Sequence, residues 1–548
     1  MGFRFSVLII ILTLAGSLLV FHFYQIQIAK GSYYLARADM QFAASGIFAA
    51  DRGAIYGTDK NGNLIPLTIN KDYPLIFADP EQISDIQEAA NEVAPIVGQP
   101  VNQLEKIFSK PNDSYELLER KADPAVAQKI DDLNLKGIYT SYESERYYPF
   151  GPLASQLLGF VGYDSQSLGQ SGRYGVESFY NSLLSGNPGS VNNGKIISSQ
   201  PGSDLTLTID PNIQDEAESV LKNLVSANNA SGGSVIVEDP KTGKILAMGE
   251  FPNFDPNNYA NSPLKNFINT NVQSVYEPGS IMKVITMSAG IDSDKITPNT
   301  TYDDKGYVNI DKAHITNYDF TTHGPYGPGT TMTQVIEHSI NTGAIFAENQ
   351  IGNNIFLNYL QKFGLDQKTG IDLPGEVSGN ISQLNPKSPQ VDWDTAAYGQ
   401  GVAVSPIELV SAISAIANNG MLMRPYVNAA LQPQEIRQVV SSNTAAQVTK
   451  MMVDAVDLAD VASISGYSMA GKTGSAFIPN PAGGGYLNKL IDSYIGFGPA
   501  SNPRFVAFIR LNAIPVTSLA AETVVPAFKE LSQFIINYYN ISPDRING

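Results

Sequence analysis

The interpretation of this chain depends on one short stretch, Tyr276-Glu-Pro-Gly-Ser280-Ile-Met-Lys283. Its Pro-Gly pair predicts a turn, and the apolar residues that follow Lys283 predict a helix. Ser280 is therefore expected at the start of a helix. Because residues three positions apart lie on one helical face, Lys283 should lie beside it.

This pair suits nucleophilic catalysis. A serine hydroxyl is a weak nucleophile until a base takes its proton, and a lysine can be that base only if its pKa is lowered. The free N–H groups at a helix start also favour a developing oxyanion. The competing interpretation is that Ser280 only caps the helix, and the stretch alone leaves both open.

The same spacing occurs at two other serines. Ser219 and Lys222 fall in the middle of a predicted helix, where a solvent-exposed face explains them. Ser262 lies in a segment rich in Pro and Asn that has no helix to set the geometry. Only the position of Ser280 therefore favours chemistry.

Two further short patterns need the same selection. Ser339-Ile-Asn341 is predicted on a turn between two helices, where a hydroxyl and an amide suit proton relay and substrate binding. The alternative is that Ser339 ends one helix and Asn341 begins the next. The pattern Ser-x-Asn occurs six times, at Ser185, Ser190, Ser226, Ser339, Ser378 and Ser441.

Lys-Thr-Gly occurs at Lys241, Lys368 and Lys472. The first two fall in predicted turns or loops. Lys472 lies among small residues that allow it a place on a strand, with Ser475 close behind. There it could hold a substrate carboxylate, and a second ammonium near Lys283 would lower the pKa of Lys283.

Composition limits the function. The chain has 548 residues, no Cys and a formal net charge of −17. It is long enough for two or three domains, and its acidic balance argues against nucleic acid as a partner. Residues 5–24 carry no formal charge and match the length of a membrane span. We therefore predict an anchor with a cytoplasmic N-terminus, over a cleaved signal peptide or a buried core helix.

The remaining chain divides into two predicted units. A stretch rich in Gly, Ser and Asn at 149–202 connects them, and the predicted divisions are an anchor at 1–24, a first domain at 25–203 and a second at 204–545. Helices are predicted after Asp79-Pro80 and Asp210-Pro211, a strand at 204–209, and a capping box at Ser405 and Glu408. Strands at both ends of the second unit, with helices between them, predict an α/β (multidomain α+β) fold with an antiparallel sheet flanked by helices.

Taken together, the three patterns at Ser280, Ser339 and Lys472 resemble the penicillin-binding transpeptidases in order and separation. Segments of the first unit resemble the pedestal, or dimerisation-type, domain of the class B members. The segments that carry the resemblance are Tyr276-Glu-Pro-Gly-Ser280, Tyr398-Gly-Gln-Gly401, Gly496-Phe-Gly-Pro499, Arg52-Gly-Ala-Ile55, Arg146-Tyr-Tyr-Pro149 and Gly172-Arg-Tyr-Gly-Val-Glu177.

The resemblance implies a peptidoglycan D,D-transpeptidase that needs no metal or organic cofactor. Ser280 would form the acyl-enzyme with a stem peptide or a β-lactam, with Lys283 as its base and Ser339 as a proton relay. Substrate would be bound by Asn341, Lys472, Thr473, Gly474 and Ser475. Ser475 departs from the commoner Thr but keeps the hydroxyl and the backbone N–H.

The resemblance also implies a single-pass protein of the bacterial cell membrane that works with a glycosyltransferase and with division or elongation proteins. Three alternatives stay open at this point: a D,D-carboxypeptidase or β-lactam-hydrolysing enzyme, a β-lactam receptor, and a catalytically inactive cell-wall scaffold. A Ser-His-Asp hydrolase has little support, because only His338 lies beside a candidate serine.

Overall fold

The computed structural model describes residues 2–25, 50–111, 113–163, 170–192, 195–480 and 482–545. Residues 26–49, which the sequence places in the first domain, lie outside the described residues. The N-terminal helix α1 covers Gly2–Tyr24. Within the described residues, no helix meets the length and apolarity that a membrane span requires.

The first unit contains short helices around a small sheet. Its strands are β1 (Ile55–Thr58), β2 (Leu64–Ala78), β3 (Glu116–Glu119), β4 (Ile138–Tyr147), β5 (Phe160–Tyr163), β6 (Gln170–Arg173), β7 (Ser190–Asn192), β8 (Lys195–Ile197) and β9 (Leu205–Thr206). Its helices are α2 (Ile86–Val97), α3 (Val101–Phe108), α4 (Pro124–Leu133), α5 (Ser155–Leu158), α6 (Gly175–Phe179) and α7 (Asn181–Leu184).

The long strand β2 organises this unit. It pairs with β1 through residues 64–68 and with β4 through residues 69–78, and β3 pairs with its last three residues. The strand β9 pairs in parallel with β1, so residues 205–206 belong to the sheet of the first unit. The chain then passes into the second unit through Leu207, which bridges to Asn428.

The second unit is a layered α/β structure. Its strands are β10 (Gly232–Asp239), β11 (Lys244–Phe251), β12 (Thr301–Asp304), β13 (Tyr307–Ile310), β14 (Ala313–Thr316), β15 (Gly327–Thr331), β16 (Met421–Met423), β17 (Glu435–Gln438), β18 (Ala470–Pro479), β19 (Tyr486–Gly498) and β20 (Phe505–Ile514). Its helices are α8 (Pro211–Ala227), α9 (Thr270–Gln273), α10 (Met282–Asp292), α11 (Phe320–His323), α12 (Met332–Glu337), α13 (Asn341–Ile351), α14 (Asn353–Lys362), α15 (Gln390–Ala396), α16 (Pro406–Ala417), α17 (Ser442–Ala459) and α18 (Val524–Tyr538).

Five strands form the main sheet in the order β11-β10-β20-β19-β18, and every neighbouring pair is antiparallel. One face packs on α8 and α18, whose Phe528 and Ile213 are fully buried. The other face packs on the helical layer around α10, which is buried along almost its whole length. The predicted antiparallel sheet between helical layers is therefore confirmed.

Local predictions succeeded where a side chain caps a helix. Ser405 and Glu408 form the predicted capping box of α16, and Asp210 caps α8. The single helix predicted after Asp79 is wrong, because Asp79 caps only a 3₁₀ turn and Asp85 caps the separate helix α2. The strand predicted at 204–209 is shorter, because the N–H of residue 208 bonds to Val427 in the second unit.

Three segments that carry the resemblance meet at one buried charge cluster in the first unit. The Glu177 carboxylate accepts hydrogen bonds of 2.6 Å from Arg52 Nε and 2.6 Å from Arg146 Nε. Arg52 also donates to Asn181 at 2.9 Å. All three charged side chains are at least 95% buried. Each guanidinium therefore depends on Glu177 for its neutralising charge.

Substituting Glu177 tests this dependence. Glu177→Gln keeps the shape but leaves two buried guanidinium groups without a counter-charge. Loss of one partner from a buried charge cluster costs about 3–5 kcal/mol, so the free energy of unfolding should fall by this amount in urea titration.

Asp457→Asn is the matched control, because Asp457 pairs with Arg545 and both side chains are exposed. Exposed pairs contribute about 1 kcal/mol or less, so this variant should unfold near the wild-type midpoint. Equal losses in the two variants would contradict the assignment of the first cluster as a buried charge centre.

Candidate active site

Ser280 lies in a 3₁₀ turn, Gly279–Ile281, which leads directly into α10. The interpretation of Ser280 as a helix cap is wrong, because Pro278 and Ile281 hold the cap positions of the two helical segments. The Ser280 side chain is half-buried. Position therefore leaves its hydroxyl available for chemistry.

The turn is pressed against the edge strand β18. A Cβ atom on Gly279, whose φ is +57°, would lie 2.6 Å from the carbonyl oxygen of Ser475. On the other side, Gly279 N–H donates to the Gly399 carbonyl at 3.1 Å. Only a residue without a side chain fits there, so Gly279 allows the turn to approach the backbone of Ser475 closely.

Lys283 lies on the first turn of α10 and is fully buried. Its Nζ donates to Asn341 Oδ1 at 2.8 Å and to Ser339 Oγ at 3.3 Å, and it also donates to the Ser339 carbonyl oxygen. Ser339 has a φ of +56°, which is uncommon for a residue with a side chain. The short link between α12 and α13 thus holds this residue in a strained conformation beside the lysine.

Lys472 approaches the same hydroxyl from the sheet. Its Nζ donates to Ser339 Oγ at 3.0 Å and to Thr473 Oγ1 at 3.1 Å. Ser339 Oγ therefore accepts hydrogen bonds from two lysines that come from different layers of the fold. The structure brings together Lys283, Ser339, Asn341 and Lys472, as the sequence predicts.

Burial changes the protonation of both lysines. It is the main cause that lowers the pKa of Lys283 well below its ordinary value, and the positive charge of Lys472 lowers it further. Asp319 opposes this shift. Burial also lowers the pKa of Lys472, to about 7. A neutral Lys283 can accept a proton at a pH where a free lysine cannot.

Ser475 lies on the exposed side of β18. Its hydroxyl donates to Asp492 Oδ1 at 2.6 Å, and the other carboxylate oxygen of Asp492 accepts from Thr523 at 3.1 Å. Asp492 is fully buried and faces Ser475 across the β18–β19 pair. Sequence reasoning missed Asp492, although pairing the strands on either side of the glycine run at 483–485 would have placed it there.

A second network that sequence reasoning missed supports Asn341 and the residue after it. Asn341 Nδ2 donates to the Thr316 carbonyl at 3.0 Å. Thr342 Oγ1 donates to Asp304 at 2.5 Å, and Asn317 Oδ1 accepts from the Thr342 N–H at 3.1 Å. Nothing in the local sequence links residues 304 and 342, because the contact depends on how β12 packs against α13.

The other copies of the short patterns differ from these residues in exposure and in the elements that carry them. Ser219 and Lys222 are exposed on α8, as predicted. Ser262 follows a 3₁₀ helix, Pro256–Asn261. Lys241 and Lys368 are exposed in turns or loops. Burial therefore separates Lys283 and Lys472 from the lysines of the repeated patterns.

Comparison with known families gives two matches along the chain. Residues 47–206 match the Penicillin-binding Protein dimerisation domain, and residues 233–532 match the Penicillin binding protein transpeptidase domain. Among solved structures, Penicillin Binding Protein 2X from Streptococcus thermophilus superposes with a TM-score of 0.73 at 21% identity. That match covers 90% of this chain and 81% of the other and shows the shared fold.

Curated relatives match over most of their length. Stage V sporulation protein D of Bacillus subtilis (strain 168) is 32% identical over 519 residues, covering 89% of this chain and 78% of that protein. Peptidoglycan D,D-transpeptidase FtsI of Escherichia coli (strain K12) is 28% identical over 567 positions, covering 100% of this chain and 93% of that protein. The resemblance drawn from the sequence is confirmed: this chain belongs to the class B penicillin-binding proteins, which are serine-type peptidoglycan D,D-transpeptidases.

Proposed function

We propose that Ser280 is the nucleophile of this transpeptidase and that Lys283 is its base. The observation that carries the proposal is the burial of Lys283 beside a second lysine, with both ammonium groups within 3.3 Å of one serine hydroxyl. Such a site lowers the pKa of Lys283 and so favours its neutral form. The serine that lies one helical turn before Lys283 is the half-buried Ser280.

The reaction then follows from the roles of the neighbouring groups. Lys283 takes the proton of Ser280 as the hydroxyl attacks the carbonyl between two D-Ala residues of a stem peptide. The backbone N–H groups of Ser280 and Ser475 stabilise the oxyanion, in agreement with the close approach of the turn to β18. Ser339, which already accepts hydrogen bonds from both lysines, passes a proton to the departing D-Ala.

The substrate carboxylate is bound by Lys472 and Thr473, with Gly474 and Ser475 continuing the binding strand. We propose that the side-chain amide of Asn341, at the start of α13, also binds the substrate. An amine from a neighbouring stem peptide then attacks the acyl-enzyme ester and forms the cross-link. A β-lactam acylates the same serine, because its ring amide takes the place of the scissile peptide bond.

We also propose that the enzyme is anchored in the bacterial membrane by its N-terminus, with its catalytic domain outside. Support comes from residues 5–24, which carry no formal charge, and from helix α1, in which Leu18 and Val20 are exposed. The proposed partners are a membrane glycosyltransferase and the proteins of division or elongation. For these partners the support is family membership alone.

The nucleophile is tested by labelling with a fluorescent penicillin. Ser280→Ala should abolish covalent labelling, because the acyl bond forms to the Ser280 oxygen. The matched control is Ser219→Ala, which removes a serine with the same Ser-x-x-Lys spacing from the exposed face of α8 and should label like the wild type. A labelled Ser280→Ala protein would refute the assignment.

The pH dependence of acylation tests the two lysines. In Lys472→Ala, removal of the second positive charge should raise the pKa of Lys283. The acid limb of the acylation rate should therefore move to higher pH. The wild-type rate should fall again as Lys472 loses its proton, since burial lowers its pKa to about 7.

Lys472→Arg is the control for this profile. It keeps the positive charge, so the acid limb should remain near the wild-type position. The basic limb should disappear, because a guanidinium stays protonated throughout the pH range of the assay. An acid limb that is the same in Lys472→Ala and in the wild type would contradict the electrostatic role of Lys472.

Membrane anchoring is tested by fractionation of cells. The full chain should remain in the membrane pellet after alkaline carbonate washing, whereas a chain lacking residues 1–24 should be released. A full-length protein that carbonate releases would contradict the proposed anchor. Penicillin labelling of both forms provides the control for folding.

A further inference from the structure

A row of buried residues, most of them polar, crosses the main sheet beneath the turn Gly279–Ile281. This turn carries the proposed nucleophile and is called the nucleophile turn. Register pairs Glu250 on β11 with Ser234 on β10, Ser234 with Arg510 on β20, Arg510 with Ser493 on β19, and Ser493 with Gly474 on β18. Residues that lie directly opposite in neighbouring strands share a face of the sheet. The row therefore runs from the edge strand β11 to the catalytic edge at Gly474.

Arg510 is the charged centre of this row. It is 3% exposed, and its guanidinium carbon lies 5.0 Å from the centre of the Tyr276 ring. Its Nη2 donates to Thr270 Oγ1 at 2.7 Å. Glu250, also buried, accepts from the N–H of Asn271 at 3.0 Å. Arg510 and Glu250 thus hold the segment 270–276 from below.

This segment leads without interruption to Ser280. Backbone hydrogen bonds join Tyr276 to Val404 in both directions, at 3.0 and 2.9 Å. The next residue, Glu277, accepts from the N–H of Gly401 at 3.2 Å. Four residues after Tyr276 the chain reaches Ser280. The ring of Tyr276 therefore connects Arg510 to the segment that carries Ser280.

The start of α10 needs such support. Among the described residues, no side chain forms a capping hydrogen bond to the 3₁₀ turn or to the helix that follows. Capping normally fixes the start of a helix, and its loss costs about 1 kcal/mol. The position of the turn therefore depends on the backbone contacts of Gly279 and on contacts to the flanks of the turn. A cation beneath an aromatic ring is a directional contact of the second kind.

We propose that Arg510 is a positioning residue for the acylation step: its guanidinium holds the ring of Tyr276 and so sets the position of the Ser280 turn against β18. Arg510 touches neither of the lysines of the site in the described contacts, and its action passes through Tyr276. This inference rests on Ser280 being the nucleophile.

The effect is measured as the first-order acylation rate at saturating penicillin, counted per active site by end-point labelling. A displacement of about 1 Å at a reacting group can cost about a hundredfold in rate, so Arg510→Met should lose at least about tenfold. Initial binding of the penicillin should stay unchanged. Arg510→Lys keeps a cation beneath the ring and should recover part of the loss.

A double-mutant cycle identifies Tyr276 as the intermediary. Tyr276→Leu removes the ring and should lose as much rate as Arg510→Met, whereas Tyr276→Phe keeps the ring and should lose little. The double variant Arg510→Met/Tyr276→Leu should be about as slow as either single variant, because both remove one contact. Losses that multiply would overturn the proposal.

A stability measurement separates positioning from general weakening. Arg510→Met leaves Glu250 buried without its neighbouring cation, so adding Glu250→Gln should raise the melting temperature. The acylation rate should remain low. Recovery of rate together with stability would overturn the proposal. Arg146→Met, which removes an equally buried guanidinium from the first unit, should lower stability but keep the wild-type rate.

The nucleophile role of Ser280 and the positioning role of Arg510 can be refuted separately. Labelling that persists in Ser280→Ala refutes the nucleophile whatever Arg510 does. If Ser280→Ala is unlabelled while Arg510→Met and Arg510→Lys both acylate at the wild-type rate, only the positioning role is refuted. If Arg510→Met does not fold, the rate of Tyr276→Leu decides: a wild-type rate in that variant overturns the role.

Discussion

Two buried ammonium groups share one serine hydroxyl, and the rest of the site depends on this constraint. Two lysine amines this close together in a buried site cannot both be protonated without a large cost in free energy. Lys283 comes from the central helix and Lys472 from the edge strand, so their meeting fixes the distance between the two layers. The strained φ of Ser339 places the shared hydroxyl at that junction.

The architecture supplies what the constraint requires. A five-stranded antiparallel sheet offers a straight edge for Lys472 through Ser475, and α10 is buried along almost its whole length, which keeps water from Lys283. Gly279 lets the turn that carries Ser280 touch that edge. Beneath the turn, the buried row through Arg510 gives the sheet a line of polar residues, and we connect this line to the position of Ser280.

Several features of the fold could be predicted from the sequence because they depend on residues close together in the chain. The Ser405 capping box, the Asp210 cap and the position of Lys472 on a strand depend on neighbouring residues, and the structure confirms them. Asp492, Asp304 and Arg510 could not be predicted in the same way. Each acts across a strand pair or between elements far apart in the chain, so its role depends on register and packing. The prediction of a single helix after Asp79 was wrong for a local reason, because Asp85 caps a second, separate helix.

The most direct test of the central claim is to locate the covalent bond itself. After reaction with a β-lactam, the protein is digested and its peptides are mapped by mass spectrometry. If Ser280 is the nucleophile, one adduct with the mass of the opened β-lactam should lie on the peptide that contains residues 276–283. Fragmentation should place it on Ser280. An adduct on another serine, or on Lys283 or Lys472, would contradict the account.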